Sequence, residues 1–165
     1  PPFVLDGLRR LAPADQQEEA AAIALVLRET LETNLFGVLG MTQAFAPALG
    51  RNGGGALLNV LSIVSWISAD ALPEYSITKS AAWSLTNGLR NALRAQNTQV
   101  VGLHAGYIDT DLTRGFDADK LDPADVVRQA YDAIEAGEEE GCVDEGTRQV
   151  KQALSLGVYL QEPAA

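Results

Sequence analysis

A short apolar run, ALLNVLSI at residues 56–63, decides the fold class of this 165-residue chain. The run contains β-branched residues and follows a glycine-rich turn at residues 50–55, which is typical of a buried strand. A helical pattern begins at Pro73 and continues to about Gln96, and a second apolar run follows at residues 99–104. Because strand, helix and strand in this order form a right-handed parallel unit, we predict an α/β sheet with helical cover.

The alternation of helices and strands continues on both sides of this unit. Residues 16–49 carry apolar side chains at helical spacing, and Asn34 interrupts this long helix. Pro13 and Asp15 predict that a helix opens near Ala14. The remaining predicted elements are a helix at residues 123–136, a short strand at 141–143 and a closing helix at 147–156. We therefore expect a single domain over residues 1–165, with a poorly defined N-terminal segment at 1–15.

Composition excludes several classes of partner. The net charge of -10 and pI near 4.4 would repel nucleic acid and anionic membrane surfaces. The longest strongly apolar stretch, residues 20–27, is too short to span a membrane, so we predict no membrane partner and a cytoplasmic protein. One cysteine, Cys142, and one histidine cannot form an internal disulfide or a His/Cys metal site, so no metal is expected.

Tyr75 and Lys79 are the first candidates for chemistry. They are four positions apart in a predicted helix and so share one face. A nearby ammonium favours the phenolate, which would lower the pKa of Tyr75. Alone, the pair also fits a solvated helix face. Ser62 lies thirteen positions before Tyr75, where the predicted strand ends, and its hydroxyl can meet the start of the helix.

With these three residues the chain resembles the short-chain dehydrogenase/reductase family, in which a strand-end serine precedes tyrosine by thirteen positions and lysine by four more. The family's Asn-x-x-Gly element is matched by Asn34-Leu35-Phe36-Gly37. After the next strand the family has a Pro-Gly turn and a threonine. Gly106 and Thr110 match it, with Ala105 in place of the proline. The resemblance is close over residues 33–112.

The resemblance implies a catalytic tetrad of Asn34, Ser62, Tyr75 and Lys79. Tyr75 would donate a proton in carbonyl reduction and accept one in alcohol oxidation. Lys79 would lower the tyrosine pKa and bind the nicotinamide ribose, and Ser62 would bind the substrate oxygen. Asn34 would bind a water that links Lys79 to solvent.

The resemblance also implies a cofactor and a quaternary structure. The cofactor would be NAD or NADP, bound by Lys79, Gly106, Ile108 and Thr110, and the substrate a small carbonyl or alcohol compound. The two helices that carry Asn34 and Tyr75 would pair between subunits of a homodimer or homotetramer.

The family's Thr-Gly-x-x-x-Gly-x-Gly phosphate turn is not found in the sequence. The glycines at residues 53–55 precede a strand and have the wrong context for phosphate binding. Only three of the six strands of a doubly wound sheet are predicted. We therefore expect an incomplete Rossmann-like parallel sheet, the C-terminal catalytic part of the family fold. The alternative is a noncatalytic association module, or a truncated fragment that does not bind the cofactor.

His104 and two other residues permit a competing interpretation. A hydrolase triad of Ser62, His104 and Asp109 can be drawn, but Ser62 lacks the flanking glycines of a nucleophile elbow. A strand histidine packed in the core is the favoured interpretation of His104.

The positions of three further features in the sequence indicate structural or functional roles for them. Trp66, four residues after Ser62, fits a substrate-pocket wall and a core position equally well. The acidic run at residues 138–140 is typical of a solvated turn. Residues 111–121 lie where the family has a mobile substrate lid, for which Gly115 would supply a hinge.

Overall fold

Three parallel strands form the centre of the structure, a computed structural model that describes residues 17–69 and 72–160. They are β1 (Gly55–Val60), β2 (Thr98–His104) and β3 (Glu140–Cys142), in the order β1-β2-β3. β1 pairs with β2 from Gly55↔Thr98 to Val60↔Leu103, and β2 pairs with β3 from Gly102↔Glu140. The predicted parallel α/β sheet is confirmed, and the architecture is Rossmann-like.

Five α-helices flank the sheet in the described part of the chain. They are α1 (Gln17–Leu31), α2 (Val38–Arg51), α3 (Pro73–Leu93), α4 (Pro123–Glu135) and α5 (Glu145–Ala153). α4 begins after the Asp122 carboxylate, which accepts a hydrogen bond from the Ala124 amide at 2.8 Å. The Asp144 carboxylate caps α5 through the Thr147 amide, also at 2.8 Å. Such side-chain acceptors satisfy amides that a helix leaves unpaired at its start.

The predicted bounds differ from the observed ones by a few residues. β3 begins at Glu140 instead of residue 141, and α5 begins at Glu145 instead of Thr147 because Asp144 caps it. The predicted helix opening near Ala14 and the segment 1–15 lie outside the described residues.

The predicted interruption of the long N-terminal helix is present as a π-helical segment, Glu32–Gly37, between α1 and α2. Asn34 lies within it. A π-helical turn widens the helix, and such turns are frequent at functional sites.

The core is centred on β2. Val100, Val101 and His104 are each at most 1% exposed. At the carboxyl end of the sheet, Leu103, Ala105, Val126 and Val143 form one apolar cluster. Between α3 and the sheet, the Asn59 amide donates to the Thr86 hydroxyl at 2.9 Å, so the polar group buried in β1 is satisfied.

The glycine-rich turn is required by close backbone approach. Gly54 has φ +124°, and a side chain there would collide with the Asn97 carbonyl. This turn connects α2 to β1, which agrees with its interpretation as a loop. In the described part of the chain, no helix is both long and apolar enough to cross a membrane.

Candidate active site

Ser62 lies where β1 and β2 end together. The ladder continues past β1, since Leu61 N donates to Leu103 O at 2.7 Å and Ile63 N to Ala105 O at 3.0 Å. Ser62 then caps a short 3-10 helix, Ile63–Ser65, by accepting from Val64 N at 3.4 Å. The Ser62 amide in turn donates to Ser65 Oγ at 3.2 Å. Backbone and side chain are thus both fixed at the carboxyl edge of the sheet.

Tyr75 and Lys79 approach this edge from the first turns of α3. Pro73 starts the helix, where a missing amide hydrogen costs nothing. Lys79 Nζ donates to the Val60 carbonyl at 2.8 Å and lies 5.5 Å from the centre of the Tyr75 ring. The lysine therefore ties α3 to the end of β1 and keeps its charge beside the tyrosine.

The pKa of Tyr75 differs from the sequence expectation. Burial raises the pKa of the Tyr75 phenol, and the hydrogen bond to the Ser62 side chain offsets only part of that rise. Burial also lowers the pKa of the Lys79 ammonium. The expected lowering of the tyrosine pKa by lysine is therefore wrong for this structure, since desolvation disfavours the charged form of both groups.

Asn34 reaches the same helix by a contact that the sequence did not predict. Its Nδ2 donates to Thr78 Oγ1 at 3.0 Å, and Thr78 Oγ1 donates to the Tyr75 carbonyl at 2.9 Å. Thr78 is fully buried. Its position between Tyr75 and Lys79 was the available signal, because a threonine inside a helix often bonds to a carbonyl one turn earlier.

Of the three predicted cofactor residues outside the tetrad, Gly106 alone lines the same cleft. Its amide donates to Asp144 Oδ2 at 2.9 Å. Ile108 instead forms a bridge with Leu121 and packs against the apolar cluster, and Thr110 is exposed at the start of the 3-10 helix Asp111–Thr113. Neither residue lines the cleft.

The cleft at this edge has a volume of about 610 Å³. Three of the four predicted tetrad residues, Asn34, Ser62 and Tyr75, line it, whereas Lys79 does not. The remaining lining residues are Glu29, Thr30, Thr33, Ile63, Val64, Leu72, Gly106, Tyr107, Leu112, Thr113 and Phe116. Leu112, Thr113 and Phe116 belong to the segment predicted as a lid. The sequence of that loop has no repeating pattern from which these lining residues could have been predicted.

Trp66 belongs to the core, which is one of the two positions predicted for it, and it does not line the cleft. It is 9% exposed, and its ring stacks on His104 with centroids 3.8 Å apart. Trp83 meets it edge-on at 6.4 Å. His104 is fully buried, as its interpretation as a core histidine requires. Its Nδ1 lies 3.0 Å from the carbonyl oxygen of Ser62, and this backbone contact does not match a hydrolase triad.

Glu140 departs from the solvated turn predicted for the acidic run. Its carboxylate accepts from Trp83 Nε1 at 2.7 Å, pairs with Lys151 Nζ at 3.0 Å and lies 3.7 Å from His104 Nε2. The contact with His104, followed by those with Trp83 and Lys151, lowers the pKa of Glu140 to about 2. Glu140 is a partly buried structural anion.

The parallel sheet and the cleft at its carboxyl edge define a Rossmann-like α/β protein. The family model described as short chain dehydrogenase matches residues 7–121. The chain belongs to the short-chain dehydrogenase family.

Individual relatives agree with this assignment. An uncharacterised oxidoreductase of Staphylococcus aureus (strain N315) is 30% identical over 107 residues, which are 63% of this chain and 46% of that protein. A short chain dehydrogenase from Burkholderia cenocepacia J2315, solved in complex with NADP, is 33% identical with a TM-score of 0.76. That match covers 79% of this chain and 56% of that one. An enzyme from Burkholderia phymatum in complex with NAD shares the fold, at 19% identity and a TM-score of 0.66, with 82% and 60% covered. The chain thus spans about half the length of its relatives.

Proposed function

We propose that the chain provides the catalytic and substrate side of an NAD(P)-dependent oxidoreductase that interconverts a carbonyl and an alcohol. One observation carries the proposal: Ser62 and Tyr75, from two different elements, line one cleft at the carboxyl edge of a parallel sheet. Family membership and the relative solved with NADP support it.

In carbonyl reduction, the Tyr75 hydroxyl would donate its proton to the substrate oxygen. The phenol is protonated near neutral pH, as a proton donor must be, although burial raises its pKa and so makes it a weaker acid. Ser62, fixed by its capping bonds, would donate a hydrogen bond to the same oxygen and orient the carbonyl. Asn34 would hold the Tyr75 turn of α3 in place through Thr78.

The nicotinamide would supply and accept the hydride. The cleft is large enough for a ring and its substrate, and the partly buried Gly106 lies in its wall. Lys79, Gly106, Ile108 and Thr110 remain the residues proposed to bind the nicotinamide end. The cofactor is proposed to be NAD or NADP, and the location of the protein to be cytoplasmic.

Titration of the chain with NADH and NADPH, followed by nicotinamide fluorescence, tests this function. We expect saturable binding that Lys79→Ala abolishes. Arg51→Ala is the matched control, because it also removes one positive charge but at a position that does not line the cleft. Arg51 lies at the end of α2, next to the turn that precedes β1. The absence of binding by a folded sample, or equal binding by Lys79→Ala, would contradict the proposal.

A second candidate function is association without catalysis. Large apolar side chains on α1, the π-helical segment and α2 are 47–59% exposed; they are Ile23, Leu25, Val26, Phe36, Met41 and Phe45. Exposed apolar surface of this kind marks an interaction site, here proposed for a second copy of the chain. Sedimentation velocity should show a dimer or tetramer that Phe45→Glu dissociates. Cofactor binding separates the two candidates, because a pure association module does not need it.

A further inference from the structure

The walls of the cleft combine a polar set and an apolar set of residues. Asn34, Ser62 and Tyr75 provide the groups that can act on a carbonyl. Six apolar or aromatic side chains make up much of the remaining wall: Ile63, Val64, Leu72, Tyr107, Leu112 and Phe116. A few polar groups within a mostly apolar wall are typical of a site for a small organic molecule.

The loop after β2 presents apolar groups to water at this cleft. Leu112 is 80% exposed and Phe116 is 36% exposed. The rings of Tyr107 and Phe116 lie 5.2 Å apart, tilted by 31°. A ligand with an apolar ring would cover these groups, and removal of that surface from water favours binding.

The charges at the cleft disfavour an anionic ligand. Among the described residues that line it there is no lysine, arginine or histidine, and Glu29 contributes a carboxylate. Two nearby cations are already engaged, since Arg114 pairs with Asp111 and Lys79 binds the Val60 carbonyl. A bound carboxylate or phosphate would lose water without gaining a counter-ion, and that loss is costly.

We propose that the cleft accepts neutral carbonyl compounds with an apolar ring-sized substituent and rejects their carboxylated or phosphorylated counterparts. This specificity rests on the proposed function, because it assigns the substrate class of the same site.

Two aldehydes of the same size test the charge preference. 4-Formylbenzamide and 4-formylbenzoate share ring and aldehyde and differ in one negative charge. Calorimetric titration of the full chain without cofactor should show the neutral compound binding at least about tenfold more tightly. Equal affinity, tighter binding of the benzoate, or no binding of either compound would overturn the inference.

Variants then identify the residues responsible. Glu29→Gln should tighten benzoate binding by about threefold and leave benzamide unchanged. Glu32→Gln is the matched control, because Glu32 is exposed in the π-helical segment and lies outside the cleft lining. Phe116→Ala should weaken both compounds by about fivefold. A Glu29→Gln effect no larger than that of Glu32→Gln would remove Glu29 from the explanation and count against the charge argument.

Turnover with NADH or NADPH separates this inference from the proposed function. A binding preference without any reduction of the benzamide would uphold the cleft specificity and contradict the oxidoreductase. Reduction of both aldehydes at equal kcat/KM would uphold the oxidoreductase and contradict the specificity.

Discussion

Two groups of polar side chains lie at the sheet, and their environments have opposite effects on the ionisation of the acidic and basic groups in them. We call Glu140, His104, Trp83 and Lys151 the Glu140 cluster. Its contacts favour the charged carboxylate and lower the pKa of Glu140 to about 2. At the Tyr75–Lys79 pair, burial raises the pKa of Tyr75 and lowers that of Lys79, so the environment disfavours the charged form of each group.

This difference separates a group that stabilises the fold, Glu140, from a group suited to a reaction, Tyr75. Glu140 has a hydrogen-bond donor and a cation in contact, which is how a buried charge becomes tolerable. Tyr75 lines the cleft, and burial makes its ionised state unfavourable; shifted pKa values are common among groups that transfer protons. Removal of Glu140 should therefore damage the fold, whereas removal of the Tyr75 hydroxyl should damage only the reaction.

Tyr75→Phe should have the largest effect on activity. Loss of the proposed proton donor is expected to lower kcat by at least about 10²-fold, with little change in the melting temperature. Stopped-flow measurement of NAD(P)H oxidation with a carbonyl substrate checks this. Tyr131→Phe is the control, since Tyr131 is 64% exposed on α4. A fully active Tyr75→Phe enzyme would refute the assignment of Tyr75.

Glu140→Ala should reduce the free energy of unfolding by about 2 kcal/mol, because Trp83 Nε1 and Lys151 lose their acceptor. Urea denaturation measures the change. Glu139→Ala should cost less than about 1 kcal/mol, since Glu139 is 60% exposed and its ion pairs with Arg90 and Arg94 are 3.9 and 3.7 Å long. Equal losses in the two variants would end the distinction between the Glu140 cluster and ordinary surface charges.

The pH dependence of unfolding provides a subtler comparison. The pKa of Glu140 is lower in the folded chain, about 2, than its ordinary value of 4.5. Its stabilisation is therefore complete above about pH 4.5 and is lost as the pH falls towards 2. In this window Glu140→Gln should lose less stability than the wild type, by about 1 kcal/mol. If the free energy of unfolding fell equally with pH in the two proteins, protonation of Glu140 would not be coupled to folding.

The smallest effect is expected at the hydrogen bond between Asn34 and Thr78. A double-mutant cycle of Asn34→Ala and Thr78→Val should give a coupling of about 0.5 kcal/mol in the free energy of unfolding. Additive single effects would show that Asn34 does not act through Thr78.

The order of elements and three of the site residues could be predicted from sequence. The apolar run at residues 56–63 and the helix from Pro73 are local patterns, and they bring Ser62 and Tyr75 to one edge. The position of Asn34 in an interrupted helix is also a local signal.

Other contacts depend on residues that are distant in sequence. Glu140 looks solvated within its acidic run, and only the packing of α3 and α5 against β3 supplies Trp83 and Lys151 as partners. Trp66 enters the core because His104 offers a ring to stack on. The pKa of Tyr75 depends on a degree of burial that spacing does not reveal.

The parallel sheet also has a consequence for the speed of folding. Ser62 and Ala105 are 43 positions apart, yet the Ser62 hydroxyl and the Ala105 carbonyl meet at 3.4 Å. Contacts of this separation form only after the intervening chain has been closed into a loop, whose entropy is lost before any pairing is gained. The rate of refolding should therefore be limited by the docking of β1 onto β2, at milliseconds or slower, while α3 forms in about a microsecond.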